Sequence, residues 1–128
     1  MSESAEQQAL FTWAGLASAA VPELRLLHAI PNGGLRTKAT AARLKKEGLK
    51  PGVPDLMLPV ARHGWHGLYI ELKYGKGRVS DTQKFWHDEL TSQRYAVFVC
   101  VGWEAAKKTI LAYLSDGIIY EQNRAATH

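Results

Sequence analysis

The residues best suited to chemistry are two acids and a lysine near the middle of the chain. Asp55 follows a proline in the stretch GVPDL, and Glu71 and Lys73 end the run LYIELK. Carboxylate oxygens are hard ligands for Mg²⁺ or Mn²⁺, and an ammonium group stabilises charge that develops on a phosphate. These residue types therefore favour metal-dependent hydrolysis of a phosphodiester. A surface hairpin on which Glu71 and Lys73 are simply solvated is the plain alternative.

A hairpin would bring these side chains together. Residues 55–60 and 68–73 predict two short strands, and residues 63–67 predict the turn between them. The numbers of facing residues should add to about 127 in this antiparallel pair, which places Asp55 beside Glu71, Leu72 and Lys73. Because side chains alternate along a strand, Glu71 and Lys73 share one face and Leu72 points into the other. The Leu72 carbonyl is a third candidate metal ligand.

This arrangement resembles the PD-(D/E)xK nuclease superfamily. GVPDL with IELK, followed by Ser80, Gln83 and a C-terminal strand, resembles its VRR-NUC family. The resemblance implies an α/β fold with a restriction-endonuclease-like core, in which a mixed sheet of about four strands is flanked by helices. It also implies a metal-dependent nuclease in which Asp55 and Glu71 hold Mg²⁺ or Mn²⁺. Lys73 would assist the attacking water, and Gln83 would support the site.

The resemblance further implies a glutamate on the first helix, close to the metal. A helix with a serine cap is predicted from residue 4 to about residue 20, with Pro22 as its stop. The spacing E-x-x-x-Q favours Glu3 together with Gln7, while Glu6 stays open as the alternative. Either acid can instead be an ordinary N-terminal residue that stabilises the helix dipole.

Basic residues cluster just before the candidate site. The formal net charge is +4, and residues 36–50 hold six lysines and arginines but one acid. A solvated helix face explains such a cluster, but next to a phosphodiester site it favours nucleic acid. The candidate nucleic-acid contacts come from this cluster, from the PNGG loop and from the loop after the hairpin: Asn32, Arg36, Lys38, Arg43, Lys45, Lys46, Lys76 and Arg78.

The other elements follow from caps and apolar patterns. On the helix that Ser80 caps, Gln83 and His87 are four residues apart, and Phe85 and Leu90 are expected to face the core. The predicted helices span residues 37–47, 81–92 and 104–114, and the predicted strands span 95–101 and, at one edge, 117–120. Residues 23–30 predict a short strand or an extended segment.

Length and composition limit the remaining possibilities. With 128 residues, 46% of them hydrophobic, the chain should form one nuclease domain over residues 1–128. No apolar run reaches the roughly 18 residues of a membrane helix, so no membrane partner is expected. The acidic start, with Glu3 and Glu6, argues against a secretory signal, and we expect a cytoplasmic protein. Cys100 is the single cysteine, so it has no disulfide partner within the chain.

We expect a structure-specific DNA endonuclease that works as a homodimer on branched DNA, above all four-way (Holliday) junctions. One site cuts one strand, and a two-fold dimer supplies the second site that a junction requires. One alternative is a nuclease that nicks flaps or duplex DNA, and another is a nucleic-acid-binding module that does not cut. A third is a partner-binding scaffold whose anchors would be Trp65, Trp86 or Trp103.

Overall fold

The computed structural model describes residues 2–31 and 37–115. Ser2, Thr37 and Ser80 begin three of the helices, and each side-chain oxygen accepts a backbone N–H of the first turn that has no helical partner. None of the helices in the described ranges is long and apolar enough to cross a membrane. In chain order the elements are α1 (Glu3–Ala17), a 3₁₀ helix (Pro22–Leu26), β1 (His28–Ala29), α2 (Lys38–Lys46), β2 (Leu56–Leu58), β3 (Leu68–Lys73), α3 (Asp81–Ser92), β4 (Ala96–Val101) and α4 (Trp103–Leu114).

The four strands form one mixed sheet in the order β1-β2-β3-β4. β1 and β2 pair antiparallel, as do β2 and β3, whereas β3 and β4 run parallel. The β2–β3 hairpin turns at His63 and Gly64, which both have positive φ. Leu56 faces Ile70, so the numbers of facing residues add to 126. The predicted hairpin is therefore confirmed to within one residue, and so is the α/β fold class.

The two faces of the sheet meet different helices. Even-numbered residues of β2, β3 and β4 form the apolar core with α1 and α4, and Leu72 belongs to this core. The opposite face of β3 carries Glu71 and Lys73, whose side chains contact residues of α3. Alternation along β3 therefore separates the apolar anchor from the charged pair as predicted.

Two predicted elements differ from the structure. In place of one short strand or extended segment over residues 23–30, the structure has the end of the 3₁₀ helix and the two-residue β1, because Pro22 fixes φ in the helical range at the first position of a helical turn. On α3, Phe85 is 59% exposed and His87 is 8% exposed, so the predicted core position of Phe85 is wrong. Gln83 and His87 lie on the face of α3 that packs against β3. Phe85 lies about 200° around the helix axis from Gln83, so it faces solvent. The predicted strand at 117–120 lies outside the described residues.

Candidate active site

Asp55 is held at the end of the sheet by both neighbouring strands. Leu72 N donates to Asp55 Oδ2 over 2.8 Å. Ile30 N, next to β1, donates to the Asp55 carbonyl over 2.7 Å. Because β2 begins only at Leu56, its backbone pairing with β3 stops before Asp55. At that point the Asp55 carboxylate accepts a hydrogen bond from a backbone amide of β3. The position of Asp55 is therefore determined by hydrogen bonds on two sides.

The proline before Asp55 leaves the Leu72 carbonyl without its usual partner. Extending the register of Leu56 and Ile70 by two residues places Pro54 opposite Leu72. Residues in such a hydrogen-bonded antiparallel pair normally exchange two N–H to carbonyl bonds. Proline has no N–H, so residue 54 cannot donate to the Leu72 carbonyl. This oxygen points to the same side of β3 as the Leu72 amide, and hence toward the Asp55 segment.

Glu71 and Lys73 lie on the other face of β3, beneath α3. Glu71 is 2% exposed and Lys73 is 8% exposed. Lys73 Nζ is 4.0 Å from Glu71 Oε2, and His87 Nε2 is 3.5 Å from Glu71 Oε1. A buried carboxylate is costly unless it is paired or hydrogen-bonded, and these two neighbours reduce that cost. The solvated pair of an ordinary surface hairpin is therefore not what the structure contains.

Gln83 joins Lys73 to the start of α3. Ser80 Oγ accepts from Gln83 N over 3.2 Å, and Gln83 Oε1 accepts from Ser80 N over 2.8 Å, which completes a capping box. The same Gln83 Oε1 accepts from Lys73 Nζ over 3.0 Å. Because the helix cap fixes the amide, the Lys73 ammonium is held at a defined place instead of moving through solvent.

The two glutamates of α1 have different surroundings. Glu3 lines a cleft of about 660 Å³ together with Asp55 and Leu72. Glu6 Oε2 accepts from Trp103 N over 2.9 Å, at the first turn of α4. The carboxylate accepts a hydrogen bond from an amide N–H that has no partner within α4. Its negative charge also lies at the positive end of the helix dipole, where it is stabilising. Glu3, and not Glu6, is thus the acid of α1 that shares the cleft with Asp55.

The candidate metal ligands are few, and all of them are oxygen atoms. Within residues 2–31 and 37–115, no three His, Cys, Asp or Glu side chains lie together as a metal site. One further step in the register places Asp55 opposite Glu71, and Leu72, which follows Glu71 in β3, donates its amide to the Asp55 carboxylate. Mg²⁺ is commonly bound by one or two carboxylates and keeps several waters, and Mn²⁺ also accepts carboxylate, carbonyl and water ligands. These residues therefore fit a hydrated Mg²⁺ or Mn²⁺ better than a closed zinc site.

The predicted nucleic-acid contacts within the described ranges are all exposed. α2 has no buried residue, and its Arg43 forms an exposed ion pair of 3.3 Å with Glu47. An exposed pair of this kind contributes little to stability and leaves the helix surface accessible. The exposed basic residues are Lys38, Arg43, Lys45 and Lys46 on α2, and Lys76 and Arg78 between β3 and α3. Asn32 and Arg36 lie outside the described residues.

Comparison with known proteins agrees with this arrangement of elements. The family model of the VRR-NUC domain matches residues 4–104, from α1 to the start of α4. This chain belongs to the VRR-NUC family. A solved structure of a VRR_NUC domain protein is 25% identical to this VRR-NUC chain, with a TM-score of 0.71 over 89% of this chain and 88% of the other. None of the curated proteins compared with the chain is a match. VRR-NUC is a nuclease-type family, so the predicted family and restriction-endonuclease-like fold are confirmed.

Two contacts of candidate site residues, one within the site and one away from it, involve partners that the sequence does not predict. His87 contacts Glu71, and its spacing of four residues from Gln83 is the signal that places both on one face of α3. Glu6 contacts Trp103, which is 97 residues away in the chain, and no local pattern indicates that contact.

Proposed function

We propose that this VRR-NUC protein is a metal-dependent endonuclease that hydrolyses phosphodiester bonds in DNA. The observation that carries the proposal is the buried Glu71 with Lys73 Nζ 4.0 Å away, on the strand whose Leu72 amide binds Asp55. A protein that only binds nucleic acid needs no buried carboxylate at this place, and burial of charge is unfavourable unless something compensates for it. Membership of a nuclease-type family supports the same reading.

Each residue then has a defined part. Asp55, Glu71 and the Leu72 carbonyl would hold Mg²⁺ or Mn²⁺, with Glu3 as the further acid of the cleft. When bound, the ion supplies positive charge against the phosphate and lowers the pKa of a coordinated water. The Lys73 ammonium, held by Gln83 at 3.0 Å, orients the attacking water or stabilises the charge that develops on the phosphate.

The DNA backbone is the proposed partner of the exposed basic residues. α2 presents four lysines and arginines and buries none of its residues, so its charged surface is available to phosphates. Contacts of this type fix the position of DNA without reading its sequence. Lys76 and Arg78, in the loop that follows Lys73 at the end of β3, are further exposed basic residues for the same role.

The experiment that tests the nuclease assignment uses substitutions that keep the shape of each side chain. Asp55→Asn and Glu71→Gln should each abolish Mg²⁺- or Mn²⁺-dependent cleavage of labelled DNA while mobility-shift affinity stays near that of the wild type. Glu6→Gln is the matched control, because an amide oxygen can still accept from Trp103 N. Wild-type cleavage by either site variant would reject the proposed site.

We further propose that the protein acts as a symmetric homodimer on four-way junctions. The part of the chain that the structure describes has one candidate site, a junction requires two symmetric nicks, and a two-fold dimer would provide two equivalent sites. Light scattering and mapping of cuts on both strands of a labelled junction test this. A monomeric mass, or one unpaired nick, would reject the dimer and favour a flap-cutting or duplex-nicking nuclease.

The two alternatives without catalysis have less support. A binding module that does not cut accounts for the basic surface of α2 but gives no reason for the buried Glu71 and Lys73. For a partner-binding scaffold, Trp65 and Trp103 are poor anchors because both pack against the protein's own core. Cleavage that requires a divalent ion would exclude both alternatives.

A further inference from the structure

His87 is the buried residue of α3, and no step of the proposed reaction uses it. Its exposed fraction is 8%, and its Nε2 lies 3.5 Å from Glu71 Oε1. Histidine is intermediate among the residues in its tendency to be buried, so burial alone assigns His87 no function. What distinguishes His87 is that it faces one particular oxygen of a carboxylate that is itself 2% exposed.

The spacing along α3 matches the spacing along β3. Gln83 and His87 are four residues apart, which is about 6 Å along a helix. Glu71 and Lys73 are two residues apart on one face of a strand, which is about 6.6 Å. α3 runs in the opposite direction to β3, so Gln83 meets Lys73 and His87 meets Glu71. The helix therefore supplies one polar partner for each charged residue of the strand.

The two oxygens of Glu71 have different neighbours. Oε1 faces His87, and Oε2 faces Lys73 at 4.0 Å. A carboxylate only accepts hydrogen bonds, so His87 can donate to Oε1 in the tautomer that carries the proton on Nε2. A distance of 3.5 Å is long for a hydrogen bond, and contacts of this kind are often long in proteins without substrate. A hydrogen bond from His87 to Oε1 would limit the rotation of the Glu71 carboxylate, whose other oxygen faces Lys73.

We propose that His87 is a positioning residue that holds Glu71 in the orientation required for binding the divalent ion. This inference rests on the proposed function, because it assigns Glu71 to the ion. Residues that hydrogen-bond a metal ligand change metal affinity by about 10- to 100-fold when they are replaced. His87 should therefore act on the affinity for the ion, with little effect on the affinity for DNA.

The test compares His87→Leu, which fills space without a donor, with His87→Gln, whose amide nitrogen can replace Nε2. We expect His87→Leu to weaken Mn²⁺ binding about 10- to 100-fold in calorimetry without DNA, and His87→Gln to recover most of it. The Mn²⁺ concentration for half-maximal cleavage should rise by the same factor in His87→Leu, with unchanged mobility-shift affinity. Thr109→Val is the matched control, because it removes another buried polar group on the core side of the sheet.

Thermal melts followed by circular dichroism establish that each variant folds. If His87→Leu does not fold, His87→Asn takes its place, since its donor is shorter by one bond and should bind Mn²⁺ at least about 10-fold more weakly than His87→Gln. Equal Mn²⁺ affinity in the wild type and the folded Leu or Asn variant would overturn the role of His87. Equal losses of Mn²⁺ affinity in the Gln and Leu variants would also overturn it.

The outcomes separate this inference from the nuclease assignment. If the wild type binds Mn²⁺ through Glu71 but cuts no DNA, the proposed function fails and the calorimetric comparison still decides the role of His87. If the wild type binds and cuts but His87→Leu binds Mn²⁺ equally well, only the role of His87 fails. A wild type that binds no Mn²⁺ or Mg²⁺ would overturn both.

Discussion

Replacing Pro54 by alanine tests whether the Leu72 carbonyl is available as a ligand. Alanine at position 54 has the N–H that proline lacks, and the register places this N–H opposite the Leu72 carbonyl. The new donor would complete the antiparallel pair that the native sequence leaves half formed. An ion that uses the carbonyl must then displace a hydrogen bond, so Pro54→Ala should weaken metal binding without removing any acid.

The expected size follows from the energy of one hydrogen bond. A net contribution of about 0.5–1.5 kcal/mol corresponds to metal affinity that is about 2- to 12-fold lower. The same bond stabilises the folded protein, whereas loss of the rigid proline costs about 0.4–1 kcal/mol through the unfolded chain. Pro54 is fully buried, so its replacement by alanine also removes about two methylene groups from the core, at about 0.8 kcal/mol each. The three effects together should lower the free energy of unfolding by up to about 2 kcal/mol.

Calorimetry with Mn²⁺ and amide hydrogen exchange provide the measurements. In the metal-free Pro54→Ala protein, the amide of residue 54 should exchange slowly, and saturating Mn²⁺ should accelerate its exchange. Pro59→Ala is the control for loss of a proline away from the site, because Pro59 is exposed and follows β2 at the end away from Asp55. A protected amide at residue 54 combined with wild-type Mn²⁺ affinity would show that the Leu72 carbonyl is not a ligand.

Three further predictions concern the lysine, the loop before Asp55 and the basic helix. Lys73→Ala should slow single-turnover cleavage by about 10² or more with little change in DNA affinity, and an unchanged rate would refute its role in the chemical step. Gly52→Ala should lower the free energy of unfolding by roughly 2–4 kcal/mol, measured by urea denaturation, because φ is +94° and a Cβ would lie 2.6 Å from α3. Gly15→Ala is its control, since the space there is open and the helix should gain stability. Alanine at both Lys45 and Lys46 should flatten the slope of log K against log salt by up to about 2 on duplex DNA, and an unaltered slope would place the DNA on another surface.

The strand that carries the candidate site was predictable because its determinants are local. Alternation along Leu68–Lys73 and the turn at His63 and Gly64 together set which residues face Asp55, and the register differs from the expectation by one residue. Ser80 likewise begins α3 through contacts within its first turn, which a capping sequence specifies by itself. The alternation of side chains along a strand and the capping of a helix depend on residues that are close in the chain. Both can therefore be predicted without knowledge of the fold.

The depth of the site was decided by elements that are distant in sequence. Glu71 is buried because α3 covers that face of β3, and the same docking buries His87 and leaves Phe85 in solvent. Alternation specifies that Glu71 and Lys73 share a face, but it does not specify whether solvent or a helix covers that face. Glu6 is a second case, since its carboxylate serves Trp103, 97 residues later, and thereby distinguishes it from Glu3. Side-chain direction within an element is local, whereas the packing of one element on another follows from burying the whole apolar core, and only the tertiary structure contains that information.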